Sequence, residues 1–204
     1  ERNMYSMRKT ILFLVSCLFL TVDLFSQTPC SLDPTFNVNG KLISDAERIG
    51  ERIAVLSDGS ILVAYNPFSN GHAYVRHLLS DGTVDMTYGT MGKTILEVAS
   101  LRTDINALLV KNDELYICGN TGTGSNTYAY VSKLKANGQI DITFGNAGYV
   151  AFTTYFTFND MVFEPGTQKI IVTGMKSVTK STIARLHANG FMDASLGTRG
   201  SREV

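Results

Sequence analysis

The sequence predicts an all-β chain made of repeated units of four short antiparallel strands, and three observations carry that prediction. An eight-residue motif recurs four times at near-constant spacing. Asp-Gly and Asn-Gly pairs punctuate short apolar, β-branched runs, which is the strongest short-range hairpin signal. No window sustains a 3.6-residue apolar period, so helices are expected to be nearly absent.

The motif is D-x-[T/S]-[F/Y/L]-[G/N]-x-x-G. It runs from Asp33 to Gly40, Asp85 to Gly92, Asp141 to Gly148 and Asp193 to Gly200, at Asp-to-Asp intervals of 52, 56 and 52 residues. Gly89, Gly145 and Gly197 hold its fifth position, where a positive φ is expected. Asn37 holds that position in the first copy, and Asn tolerates the left-handed region best among residues with a side chain.

Each unit then repeats in the same order. A short apolar run follows the last Gly (Leu42 and Ile43; 95–99; 149–152). A second run meets a turn and a third: 53–56 through Asp58-Gly59 to 61–65, 105–110 through 111–114 to 115–119, and 161–163 through 164–166 to 170–174. A fourth run ends at Asp81-Gly82, Asn137-Gly138 or Asn189-Gly190. Both central residues of these turns are expected at φ > 0. Within the fourth run Leu78, Leu134 and Leu186 share one face, and His77, Lys133 and Arg185 share the neighbouring slot.

Four short strands in 52–56 residues make one blade of a β-propeller. The repeat array covers 33–204, as units 33–84, 85–140 and 141–192 with a partial fourth unit at 193–204. A closed ring takes about four to eight blades. The array therefore reads as an incomplete propeller, to be closed by further blades of the same protein or by an oligomer.

Residues 1–26 differ in character. Arg8 and Lys9 precede an uncharged, mostly apolar run at 10–22, too short to span a bilayer and matching the h-region of an export signal. Asp23 ends the run, and the small residue Ser26 places cleavage before Gln27, with 27–32 as a short linker. Residues 14–17 also fit a lipoprotein cleavage pattern ending at Cys17. The apolar run continues past Cys17, which favours an h-region residue over a lipid anchor. The leader predicts an exported protein, extracellular or on the outer cell surface, with no transmembrane span in the mature chain.

The whole chain carries 18 basic and 18 acidic residues, and loss of 1–26 leaves a net charge of −1. That balance excludes a nucleic-acid footprint. Two cysteines remain, Cys30 and Cys118. Export permits a bond between them, but Cys118 lies in an apolar strand-like run and reads as a buried thiol.

A search for chemistry returns no catalytic, metal or cofactor set. Asp33, Asp85, Asp141 and Asp193 could offer carboxylates to Ca²⁺, but no alternating D-x-D-x-D-G loop occurs, and an Asp two residues before Thr or Ser caps its own turn. His72, His77 and His187 lack metal-ligand spacing. No nucleophile elbow is present, and Cys118 has no His partner in sequence. Gly119, Gly122 and Gly124 follow a strand with no helix after them, so they read as a blade loop and not a phosphate cradle. The aromatics at 149–158 and at Tyr128 and Tyr130 read as packing between adjacent sheets.

The repeat resembles the delta-60 repeat family. Asp81-Gly82 with Asp85, Tyr88, Gly89 and Gly92 carries the resemblance, as does Asn137-Gly138 with Asp141, Phe144, Gly145 and Gly148. The 58–64 hairpin (DGSILVA) adds to it. The likeness covers roughly 32–200 and implies a propeller that is secreted or surface-associated in bacteria, with no implied activity. The function expected is a binding or structural module for protein or glycan ligands. The alternative is a propeller-scaffolded hydrolase or lyase whose active site lies largely in further blades or loops.

Overall fold

The computed structural model describes residues 31–42, 48–68, 71–124, 126–155, 157–177, 179–198 and 200–203. The leader with Cys17, Ser26 and Gln27, and also Cys30, lies outside them. The chain divides into Glu1–Asp33 and Pro34–Val204, and the fold below is that of the second unit.

Strands β1 (Arg48–Val55), β2 (Ile61–Pro67), β3 (Tyr74–Leu78) and β4 (Lys93–Ile95) form one antiparallel sheet in sequential order. Strands β5 (Thr103–Lys111), β6 (Glu114–Thr123), β7 (Asn126–Leu134) and β8 (Tyr149–Phe152) form a second. Strands β9 (Thr157–Phe163), β10 (Ile170–Ser177), β11 (Lys180–Leu186) and β12 (Ser201–Glu203) form a third. No helix occurs among the described residues. Three four-stranded meanders are the blade topology that the repeat predicts.

The sheets are offset from the sequence units. The Asp motif links the third strand of a sheet to the fourth, so β4, β8 and β12 are the short strands that follow Gly92, Gly148 and Gly200; only β8 is mostly apolar, and the run expected at 95–99 is strand only at Ile95. The partial unit from Asp193 therefore completes the third sheet with β12, pairing Ser201 with Ala184 and Glu203 with Thr182.

Two apolar clusters hold the sheets together. Leu62, Ala64, Val75, Tyr88 and Leu96 of the first sheet region meet Ile105, Leu115, Ile117, Tyr130 and Leu134 of the second. The opposite face of the second sheet, with Tyr116, Cys118 and Val131, meets Phe158, Ile170, Val172 and Leu186 of the third. The second sheet is thus buried on both faces, as its near-continuous apolar runs require. No strand of the first sheet contacts a strand of the third among the described residues, so the array is open.

Each first strand carries a bulge at the same place. Register shifts fall between Gly50 and Arg52, between Ile105 and Ala107, and opposite the Thr173–Gly174 step. Residues at the bulges tie neighbouring sheets: Arg52 Nε, beside the first bulge, donates to the carbonyl of the bulged Asn106, and Asn106 Nδ2 donates to the Phe158 carbonyl at 2.8 Å. Asn66 of β2 adds a two-way bond to the Ile105 backbone, at 2.9 and 2.7 Å.

The turns depart from expectation. Only the glycine of each Asx-Gly pair has positive φ: Gly59 +83°, Gly82 +82°, Gly138 +81° and Gly190 +88°. The amides of Gly59, Gly82, Gly138 and Gly190 reach back three residues to Leu56, Leu79, Lys135 and His187. These are three-residue hairpins with the glycine in the left-handed position. Both central residues are left-handed instead at Asn112 (+53°) and Asp113 (+59°), a turn without glycine. The Gly119–Gly124 stretch also differs, being strand through Thr123 and pairing residue by residue with β7. Absence of Cβ at Gly119 and Gly122 admits the Asp104 and Asn126 carbonyls.

Met91 (+53°) and Ala147 (+54°) occupy the seventh motif position, beside Asn39 at +54°. A left-handed conformation costs a residue with Cβ about 1–2 kcal/mol. Part of this returns as unfolded-chain entropy when glycine replaces it. Ala147→Gly is therefore expected to stabilise the fold by about 0.5–1 kcal/mol. Thermal denaturation checks this, with a rise in Tm of about 2 °C.

Candidate functional site

The repeated Asp is the hub of each sheet's edge, and its two oxygens do different work. Oδ1 of Asp85 accepts from the Thr87 amide (2.9 Å) and hydroxyl (2.6 Å). Asp141 does the same with Thr143 at 3.2 and 2.6 Å, and Asp193 with Ser195 at 3.1 and 2.7 Å. This is an Asx turn reinforced by the hydroxyl at the third motif position. Asp58 and Asp81 repeat the device with Ser60 and Thr83.

Oδ2 faces the slot of the third strand that holds His77, Lys133 or Arg185. His77 Nδ1 lies 3.0 Å from Asp85, Lys133 Nζ 3.0 Å from Asp141, and Arg185 Nε 2.8 Å from Asp193. Each of these side chains also reaches a residue at the connection between the first and second strands. Lys133 pairs with Glu114 at 2.9 Å and Arg185 with Glu164 at 2.8 Å. Lys169 adds a second cation to Asp193 at 2.7 Å.

These partners depress the carboxyls. The Thr87 hydroxyl and amide, with a smaller contribution from His77, hold Asp85 below its ordinary value. Burial pushes Asp141 up, but the Thr143 hydroxyl and the Lys133 ammonium outweigh it and leave the group lowered. Lys169 first, then Ser195 and Arg185, hold Asp193 well below the usual carboxylate range.

In the first sheet this bridge has the outline of an acyl-transfer triad. His77 Nε2 lies 2.8 Å from Ser60 Oγ while Nδ1 faces Asp85. Three facts make it a structural bridge. Ser60 is 2% exposed, so its hydroxyl faces no substrate. That hydroxyl donates to Asp58 at 2.6 Å, so its proton is directed to Asp58 and not to the imidazole. The same three-way bridge recurs with Lys133 and Arg185, which cannot serve a serine nucleophile as His does. Sequence reading placed His77, Lys133 and Arg185 in one slot but missed their common partner. The fixed distance of eight residues to the motif Asp was the available signal.

The second half of the motif clasps the next sheet. The amides of Asn37, Gly89 and Gly145 donate to the carbonyls of Asp81, Asn137 and Asn189, at 2.6, 2.9 and 2.9 Å. The aromatic one residue earlier covers the glycine of the same turn. A Cβ built on Gly82 would stand 2.7 Å from Phe36, on Gly138 2.6 Å from Tyr88, and on Gly190 2.5 Å from Phe144. The fifth motif position is left-handed throughout: Asn37 +46°, Gly89 +56°, Gly145 +57°, Gly197 +54°. Asn37 Nδ2 adds a bond to the Gly82 carbonyl at 2.6 Å. Gly40, Gly92, Gly148 and Gly200 close the motif at +80° to +102°. Asp33 heads the first copy and lies in the other unit of the chain.

Elsewhere, Cys118 is fully buried, and burial pushes its thiol up. No group of three or more His, Cys, Asp or Glu side chains is placed to hold a metal among the described residues. Phe152, Tyr155 and Phe158 pack on one another at centroid distances of 5.2–6.2 Å, inside the second core. No helix among the described residues is long and apolar enough to cross a membrane. The fold defines an open array of propeller-type blades. Compared with family models, curated proteins and solved structures, the chain finds no match in any of the three.

Two outcomes follow from the clasp and the hub. Gly138→Val drives a side chain into the Tyr88 ring and is expected to cost about 2–4 kcal/mol. Gly166→Ala, left-handed at +73° but with open space around it, is expected to cost only about 1 kcal/mol. Urea denaturation compares the pair. The depressed carboxyls give stability that is complete above the unfolded value near 3.8 and lost as pH falls through their lower folded values. Stability is therefore expected to fall from about pH 4 downward, and Asp141→Asn to flatten that fall.

Proposed function

We propose that this chain is part of a secreted or cell-surface β-propeller that acts as a binding or structural module for a protein or glycan ligand. The reading of residues 1–26 as a leader supports export, and the resemblance to delta-60 repeats supports a surface-associated propeller. The observation that carries the binding role is the division of labour within the repeat. Its polar groups are consumed internally, while three exposed slots beside the clasp change from sheet to sheet. Those slots hold Leu79, Lys135 and His187; Thr83, Gln139 and Phe191; and Met86, Ile142 and Ala194. Met86 and Ile142 are 59% and 69% exposed, apolar area that the core does not use. Exposed apolar side chains on a rigid scaffold favour contact with a partner surface.

A glycan array and an affinity screen against extracellular proteins test this. The expected result is a ligand whose retention falls at least tenfold in Met86→Asp/Ile142→Asp/Phe191→Asp, with Tm within about 2 °C of the parent. Retention that ignores these substitutions overturns the assignment of the surface. An ester- or glycoside-cleaving activity lost on Ser60→Ala would replace the binding role with the hydrolase alternative.

A further inference from the structure

The clasp has two halves, and the described residues contain them in unequal number. Three turns, Asp81-Gly82, Asn137-Gly138 and Asn189-Gly190, are each seated under a motif. The fourth motif half, Leu196-Gly197, has the same backbone, with Gly197 at φ +54°. Among the described residues no carbonyl accepts from the Gly197 amide. Leu196 is half-buried where Tyr88 and Phe144 are buried under their turns.

The sheet face beside this half-clasp is unpartnered as well. Leu109, Tyr116 and Val131 line the corresponding face of the second sheet and pack in its core with the third. Their counterparts, by strand register, are Val162, Ile171 and Ile183. Val162 is 55% and Ile183 39% exposed, and with Asp160 and Thr173 they line a shallow hollow. Apolar positions that are core in one sheet and bare in the next identify a face built for another sheet.

We propose that Leu196-Gly197 and the Val162–Ile171–Ile183 face form a docking surface for one further β-meander whose third strand ends in an Asx-Gly turn. The turn's Asx carbonyl accepts the Gly197 amide. Its glycine, lacking Cβ, lies against Leu196, and its apolar second strand covers Val162 and Ile171. The inference rests on the reading of the chain as propeller blades and not on any ligand. A second copy of the chain is a poorer fit, because its first turn is already clasped by its own Phe36 and Asn37.

The test extends the chain with its own material. A duplicate of residues 96–140 is appended after Glu203, which reproduces the order of strand, linker and meander that follows β4. Amide hydrogen exchange is read at Gly89, Gly145 and Gly197, with mass measured by light scattering. In the parent chain Gly197 is expected to exchange at least about tenfold faster than Gly89 and Gly145. In the extended monomer it is expected to slow at least about tenfold, and Gly→Val in the appended Asn-Gly turn to reverse this. Gly197 protected in the monomeric parent overturns the proposal, as does Gly197 still fast in the extended chain. Protection of the parent that appears only with doubled mass assigns the surface to a second copy, and also overturns it. Fast exchange at Gly89 and Gly145 instead sinks the blade reading itself.

Discussion

The three sheets depend on one contact made three times, a ring laid over a glycine that has no Cβ, locked by a single amide-to-carbonyl bond. Burial of apolar faces supplies most of the attraction between the sheets, at about 25 cal/mol per Å². That attraction is non-directional and would tolerate sheets slid or rotated against each other. One hydrogen bond adds only about 1 kcal/mol net. Its value lies in geometry. It exists only when the left-handed fifth residue of the motif stands opposite the penultimate residue of the next turn. Phe36, Tyr88 and Phe144 then fill space that any side chain on Gly82, Gly138 or Gly190 would close.

The Asp hub holds that fifth residue in place. Oδ1 fixes the turn that leads into the clasp, and Oδ2 ties the turn to the third strand. The hub needs a donor about 3 Å from Oδ2 but sets no demand on its shape. This explains how His77, Lys133 and Arg185 serve one slot. The third member of each bridge compensates for the choice. Lys133 and Arg185 meet the carboxylates of Glu114 and Glu164, whereas His77 meets the hydroxyl of Ser60, which is itself held by Asp58. A triad-like geometry thus arises as one solution to a charge-balancing problem that the other two sheets solve with salt bridges.

Much of this was legible in the sequence, because the repeat samples the same structural problem several times. The strand runs, the absence of helix and the positive φ at Asn37 all followed from the alignment of the copies. What escaped shares a physical cause. Turn type was misjudged because Asx-Gly serves both the two-residue turn and the three-residue turn with a left-handed glycine, and only hydrogen-bond phase separates them. Strand β6 was read as a loop beyond Cys118 because Gly119 and Gly122 look like breakers. There they admit backbone from the bulge at Asp104 and from Asn126. The strained positions at Met91 and Ala147 left no trace, since neither residue favours the left-handed region. The clasp was invisible for a different reason. Its two halves are both conspicuous motifs, but they belong to neighbouring sheets, and residue spacing carries no information about which motif touches which.

The offset between unit and sheet follows from the clasp and shapes what the molecule can present. The Asp85 and Asp141 motifs are shared: the first half is tied to the third strand of its own sheet, and the second half to the next sheet's turn. Cutting the repeat at any point therefore separates two halves of one contact, so a single unit has no complete interface of its own. Stability must then be collective, with terms between neighbours outweighing terms within a unit. The same economy confines variation. A substitution at the hub or under the ring disturbs two sheets together, while the side chains at Leu79, Thr83 and Met86 are exposed. An array of this kind can change its exposed chemistry from sheet to sheet without altering the joint between sheets, which is the property a recognition surface requires.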